Sequence, residues 1–192
     1  MAMPAMRTDW TVDMLDELPD DGQRYEIIDG ALFVTPAPSD LHQYVAGELY
    51  ARLLGYLRGS GIGHPVLSPA DVRRNDRRRN RVQPDVFVVR VSGGKRPAYP
   101  FDLADLLLAV EIESPSNSRL DYQTKRPLYL QGGIPEYWIF SPEARTVARW
   151  TRAEDPGEIL SNQLTWHPHG MSQPFVVDLA EFFTQALGQS AD

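Results

Sequence analysis

The chain is 192 residues long, 42% hydrophobic and 23% charged, which fits one domain over residues 1–192 with a full buried core. It has no cysteine, so disulfides, thiolate catalysis and cysteine-based zinc or iron–sulfur sites are excluded. A net charge of −7 argues against coating nucleic acid by bulk attraction, and no apolar run approaches the length of a membrane span.

Thr11 to Leu18 reads as a short amphipathic helix stopped by Pro19. Tyr25–Ile28 and Ala31–Val34 flank Asp29-Gly30, a pair that supplies the left-handed turn of a β-hairpin. The longest helix is expected from its cap Ser39 to about Arg58. Leu41, Val45, Leu49, Leu53, Tyr56 and Leu57 form its apolar stripe, and Gly59, Gly61 and Gly63 end it. Val66–Val72 and Val82–Val89 then read as paired strands around an arginine-rich tip. Ser92–Pro97 is a loop, and Leu106–Glu113 returns to strand. A helix follows Ser114-Pro115-Ser116-Asn117 and runs to about Gln131. Its regular part is expected near Arg126, because Pro127 is tolerated only in a first turn. Glu136–Phe140, Thr146–Thr151 and Ile159–Thr165 are further strands, and Leu179–Leu187 is a closing amphipathic helix. This interleaving predicts an α+β fold with no internal repeat and no interdomain linker.

Two acids interrupt the aliphatic pattern. Asp85 opens the strand Gln83-Pro84-Asp85-Val86-Phe87-Val88-Val89, and Glu111 lies in Leu106-Leu107-Leu108-Ala109-Val110-Glu111-Ile112-Glu113. Burying an ionised carboxylate costs several kcal/mol unless it is paired or holds a metal. Two such acids with Lys125 close behind suggest a shared divalent cation beside a lysine, which is chemistry suited to phosphodiester cleavage. Upstream, Arg73 to Arg81 holds six arginines in nine residues. A solvated hairpin tip is the bland reading of that run. Its position beside the acids points instead to phosphate contact by Arg77, Arg78 and Arg79.

The ordered segments Tyr25-Glu26-Ile27-Ile28-Asp29-Gly30, Pro36 to His42, Gln83-Pro84-Asp85, Val110 to Ser116, Asp121 to Lys125 and Gly133-Ile134-Pro135-Glu136-Tyr137-Trp138 carry a resemblance. Over roughly residues 9–150 the chain resembles the Uma-two family of putative restriction endonucleases, within the PD-(D/E)xK nuclease superfamily. The resemblance implies a restriction-endonuclease-like core: a mixed β-sheet flanked by helices, with an N-terminal hairpin. It further implies a metal held where the sheet splits, by Asp85, Glu111 and the main-chain carbonyl of Ile112. The superfamily pattern puts its lysine two residues after the glutamate, where this chain has Glu113. The lysine of this family sits on the following helix, which points to Lys125. Glu113 is then either an added ligand or the outward residue of its strand. Glu26 matches an acidic family position and either serves a second metal site or pairs with a cation such as Arg24. His42 matches a motif position and is a candidate for phosphate or substrate contact. His167-Pro168-His169 resembles a metal pair, but its proline favours a plain surface segment, while Tyr129 and Tyr137-Trp138 look like core, with Tyr129 also a candidate for lining the cleft.

These features together predict a magnesium- or manganese-dependent endonuclease acting on DNA. Asp85, Glu111, Lys125 and Glu26 would be catalytic, and Arg77, Arg78, Arg79 and His42 would bind nucleic acid. The alternatives are a catalytically inactive nuclease fold kept for DNA or protein binding, and a glycoside hydrolase built on paired carboxylates. Met1–Arg7 lacks the apolar core of a signal peptide, so a cytoplasmic protein without membrane association is expected. Double-strand cutting by one small site favours a homodimer.

Overall fold

The computed structural model describes residues 8–74, 79–115, 117–151 and 156–188. In chain order the elements are α1 (Val12–Leu15), β1 (Arg24–Ile28), β2 (Ala31–Thr35), α2 (Asp40–Leu57), β3 (Gly63–Leu67), β4 (Val72–Arg73), β5 (Arg81–Val82) and β6 (Val86–Arg90). There follow β7 (Phe101–Asp102), a short 3-10 turn, β8 (Leu106–Ile112), α3 (Ser118–Leu120), a π-helical turn (Asp121–Lys125) and α4 (Arg126–Gln131). The chain closes with β9 (Tyr137–Ser141), β10 (Thr146–Trp150), β11 (Glu158–Leu160), β12 (Gln163–Trp166), β13 (Phe175–Asp178) and α5 (Leu179–Ala186). The predicted α+β class holds, and no described helix is long and apolar enough to cross a membrane.

The central sheet has the order β11-β10-β9-β8-β6-β3, antiparallel except for the parallel β8–β9 pair. Its middle strands are apolar on both faces because both faces are covered. Val86, Val88, Leu108 and Val110 face α2 and α5, where Val45, Leu49, Leu53 and Phe182 complete one core. Phe87, Val89, Ala109 and Tyr137 face the other way, against Leu128, Tyr129 and Leu130 of α4 and Ile28, Val72 and Val82 of a second sheet. That sheet, β2-β1-β5-β4-β7, carries the N-terminal hairpin, and β12 pairs with β13 apart from both.

Local chemistry explains most boundaries. The Ser39 hydroxyl accepts from the His42 amide at 3.3 Å and caps α2. Of the stripe of α2, Val45, Leu49, Leu53 and Leu57 are buried, Tyr56 is half-buried and Leu41 is exposed. Asp29 and Gly30 both take positive φ, as the hairpin turn demands. The two expected strands around the arginine tip are each broken by proline-containing segments. β3 pairs with β6 and β4 with β5, so the inner and outer halves join different sheets. The expected strand over Ile159–Thr165 is likewise two strands, β11 and β12. In the helix after Asn117, the wide π turn comes just ahead of Pro127, whose ring would crowd the carbonyl four residues earlier in regular α-helix.

The hairpin turn is locked from outside. Gly30 N–H donates to the Arg79 carbonyl at 3.1 Å and Asp29 N–H to Asn80 Oδ1 at 2.9 Å. A Cβ on Gly30 would press on the Thr8 carbonyl oxygen and the Arg79 guanidinium, whereas Gly22, also at positive φ, has open space around it. Gly30→Ala should therefore lower stability by at least about 1 kcal/mol more than Gly22→Ala, which bears only the left-handed backbone cost. Urea midpoints of the two variants check this.

Candidate active site

Pairing between β6 and β8 stops at Val86–Val110, and the next step outward sets Asp85 opposite Glu111. Cross-strand partners share a face, so both carboxylates point towards α4 and the hairpin. Asp85 Oδ2 accepts the Ile112 amide at 2.8 Å, so a side chain replaces the ladder where the strands part. In a strand, the amide and carbonyl of one residue face the same neighbour, so the Ile112 carbonyl also turns towards Asp85.

Two further groups hold Asp85. Arg24 Nη1, from β1, lies 2.8 Å from Oδ1 and also donates to the Gln83 carbonyl at 3.1 Å. His42 Nε2, from the first turn of α2, lies 2.9 Å from Oδ2, and its Nδ1 is buried without a hydrogen-bond partner among the described residues. Burial alone would raise the Asp85 carboxyl, but the His42 hydrogen bond and the Arg24 charge outweigh it and hold the group well below the usual carboxylate range.

Glu111 sits deeper. Its Oε1 accepts from Lys125 Nζ at 3.1 Å and from the Tyr129 hydroxyl at 2.7 Å. Lys125 Nζ also lies 3.0 Å from Glu26 Oε2 and 3.8 Å from Asp121 Oδ1, so three carboxylates surround one ammonium. Burial would lower the lysine, but Glu111, Glu26 and Asp121 reverse this and drive it up. Burial lifts Glu111 well above its ordinary value, with Lys125 opposing and Asp85, Asp121 and Glu26 adding to the rise. Asp121 is pushed up to about 7 by burial, against the pull of Lys125. Glu26 Oε1 accepts the Gln83 amide at 2.8 Å and so ties the hairpin to the segment before Asp85.

The structure thus brings Asp85, Glu111, Lys125, Glu26, Ile112 and His42 together. Lys125 is the last residue of the π turn, at the entrance of α4 as expected, yet only 2% exposed. At that burial, truncating its side chain would open a hole. Glu113 stands apart, because β8 ends at Ile112 and the glutamate accepts from the Ser118 hydroxyl at 2.7 Å. Arg77 and Arg78 lie outside the described residues. Arg79 gives its Nη2 to the Asp29 and Thr8 carbonyls at 2.6 and 3.0 Å, a structural use within the hairpin. Exposed His167 bonds the Met171 carbonyl, as a plain surface segment would. Asp121 is the member of the cluster to which sequence reasoning gave no role; Arg24, expected at most as a partner of Glu26, bonds Asp85 instead, and Tyr129, a candidate for the cleft, bonds Glu111. Their one signal was polarity on faces that otherwise read as core.

A divalent ion has a suitable donor set here. Four clustered carboxyls, Glu26, Asp85, Glu111 and Asp121, face two fixed cations, Arg24 and Lys125, which leaves two negative charges when all are ionised. Glu26 Oε2 is buried without a hydrogen bond of good geometry. Among the described residues, no three His, Cys, Asp or Glu form a ready-made metal cage. Magnesium does not need one, since it is commonly held by one or two carboxylates with waters and substrate phosphate. The oxygens of Asp85, Glu111 and Ile112 therefore fit magnesium or manganese.

The family model described as putative restriction endonuclease, Uma2, matches residues 12–175. The chain belongs to the Uma2 family. A solved structure of a putative nuclease belonging to DUF820 from Anabaena variabilis ATCC 29413 has the same fold. Its TM-score is 0.74 at 18% identity, covering 92% of this chain and 98% of that one. No curated protein matches the chain.

Two outcomes test this Uma2 cluster. Lys125→Ala strands three buried carboxylates and should cost about 3–5 kcal/mol, the usual scale for one partner of a buried pair, read from denaturant unfolding. Asp121 keeps a proton when folded that the unfolded chain releases near pH 4. Its stabilising contribution is full below that pH and is lost as pH rises through about 7. In chelator, the urea midpoint of Asp121→Asn should accordingly fall less than that of the wild type between pH 5 and pH 8. Equal falls would place the titration elsewhere.

Proposed function

We propose that this Uma2 protein is a metal-dependent endonuclease that hydrolyses DNA phosphodiester bonds at the Asp85–Glu111 pair. The observation that carries this reading is the unbalanced charge of the buried cluster. Four acids against two fixed cations settle either by taking up protons, as the raised Glu111 and Asp121 carboxyls would, or by gaining a divalent cation. A glycosidase needs no such internal lysine, and the acids' shared contacts suit a metal better than a general-acid pair.

A magnesium or manganese ion, when bound, supplies neutralisation of phosphate charge and a more acidic water. Asp85 and Glu111 would hold it, with the Ile112 carbonyl on the same edge. His42 and Arg24 keep Asp85 ionised and fixed in orientation, so that its oxygens are presented without reorganisation. Lys125 and Tyr129 do the same for Glu111, and Lys125 supplies the internal counter-charge of the buried acids. Glu26 couples the lysine to the Gln83 amide and so fixes the approach to Asp85. Cutting both strands with one site per chain would engage two copies.

One observation favours the rival of a fold kept only for binding. Asp85 and Glu111 already have internal partners from four other side chains. Plasmid cleavage separates the two readings. Nicking or linearisation should need magnesium or manganese and cease in chelator. Asp85→Asn should weaken magnesium binding by at least about tenfold in calorimetric titration, since removing even an outer-shell partner of a metal site costs that much. Equal magnesium affinity in Asp85→Asn and wild type would remove the aspartate from the site. DNA binding without any cleavage would leave the binding module.

A further inference from the structure

Three adjoining cavities of about 600, 350 and 210 Å³ converge on His42, which lines all of them. Arg24 and Pro38 are shared between the two smaller chambers, and Ser39 and Pro115 between the smallest and the largest. A continuous groove therefore passes the site. Of the clustered groups, Asp85, Arg24 and His42 line it. Glu26, Glu111, Asp121 and Lys125 do not, and each is at most 2% exposed. Lys125, the expected phosphate-facing cation, is walled off behind its own carboxylates.

In the two smaller chambers, one of which Asp85 lines, Arg24 is the one lysine or arginine among the described lining residues. Its two hydrogen bonds to described residues both leave from Nη1, to Asp85 and to the Gln83 carbonyl. A guanidinium has five donors in a planar fork that matches phosphate oxygens, so the remaining edge suits an anion entering by the groove. Its charge is fixed, and the Asp85 and Gln83 contacts already hold the side chain in one place, so little entropy is lost on binding. The largest chamber is lined by Glu113 and Glu143 as well as Arg145, a poorer place for phosphate.

We propose that Arg24 is the residue that receives a backbone phosphate of the bound polynucleotide, while Lys125 serves as the internal counter-charge of the acids. This rests on the nuclease reading for its ligand, but it is tested by binding rather than by turnover.

The experiment measures the affinity of a short DNA duplex for wild type, Arg24→Gln, Arg24→Lys and Lys125→Met across a salt series in chelator. Losing one phosphate contact should flatten the log–log salt slope by roughly one unit in Arg24→Gln. Arg24→Lys should keep the wild-type slope, because the charge remains, with weaker binding. Lys125→Met should keep the wild-type slope too. A slope in Arg24→Gln equal to wild type, or no duplex binding by wild type at all, overturns the proposal. A protein whose Arg24 behaves as stated but which never cuts DNA with magnesium retains the Arg24 assignment and loses the nuclease reading. Cleavage by wild type with an unchanged Arg24→Gln slope does the reverse. Phenylglyoxal modification of the wild type, mapped by mass spectrometry, bypasses any folding defect. Arg24 should be protected by the oligonucleotide while exposed arginines such as Arg58 and Arg119 are not, and Arg24 modification that the oligonucleotide does not reduce overturns the proposal.

Discussion

The ammonium of Lys125 is the point on which this molecule turns. Its three carboxylate neighbours come from separate parts of the chain: Glu26 from the N-terminal hairpin, Glu111 from a central strand and Asp121 from the π turn. Any one of these groups buried alone would cost several kcal/mol, and the lysine alone as much, so the arrangement is tolerable only as a set. It therefore fixes how the hairpin sits on the central sheet. Glu26 then reaches the Gln83 amide with its other oxygen, two residues before Asp85. The position of the groove-facing acid is in this way a consequence of the internal ion cluster.

Asp85 belongs to both environments. Behind it lies a sealed polar interior with excess negative charge, and in front lies a groove bounded by Arg24 and His42. The two acids of the pair are driven apart in acidity by these settings. Asp85 is pulled down by a cation and a histidine, and Glu111 is driven up by burial among other acids. The raised Glu111 carboxyl is a stability cost at neutral pH that a purely structural sheet edge would not carry. A hydrophobic pair at these positions would pack more cheaply, which argues that the cluster is retained for chemistry.

The sequence made the local elements legible wherever one physical rule dominated. Asp29-Gly30 dictates its turn, Ser39 its cap, and the aliphatic runs around Val86 and Leu108 can only be covered strands. It failed where partners decide. Phe101–Asp102 is a strand because it lies parallel to Val72–Arg73, which no propensity announces. Phe175–Asp178 exists as a strand through Gln163–Trp166. The site divides along the same line. Asp85, Glu111 and Lys125 stood out as charges in or beside apolar runs. Arg24 did not, because its partner Asp85 is 61 residues away and its neighbour Glu26 offered an easier explanation. Strand alternation held the missing clue: Arg24, Glu26 and Ile28 share one face, and the face that buries Ile28 and Glu26 turns Arg24 inward as well, half-buried at the strand's start.

The displaced lysine follows from the same geometry. A lysine two residues after Glu111 would have to point to the same face, which requires the strand to stay regular through position 113. Here β8 ends at Ile112, and Glu113 turns to Ser118 at the start of the next helix. The space beside Glu111 is then open to a side chain from that helix. The π turn supplies it, because its wider ring places Lys125 and Asp121 on the sheet side while leaving room for Pro127 one turn on. Tyr129, four residues after Lys125, shares its helical face and reaches the same Glu111 oxygen. The ammonium thus reaches Glu111 from the helix that follows rather than from the strand itself. What must be kept is a cation within about 3 Å of that carboxylate, not its place in the sequence.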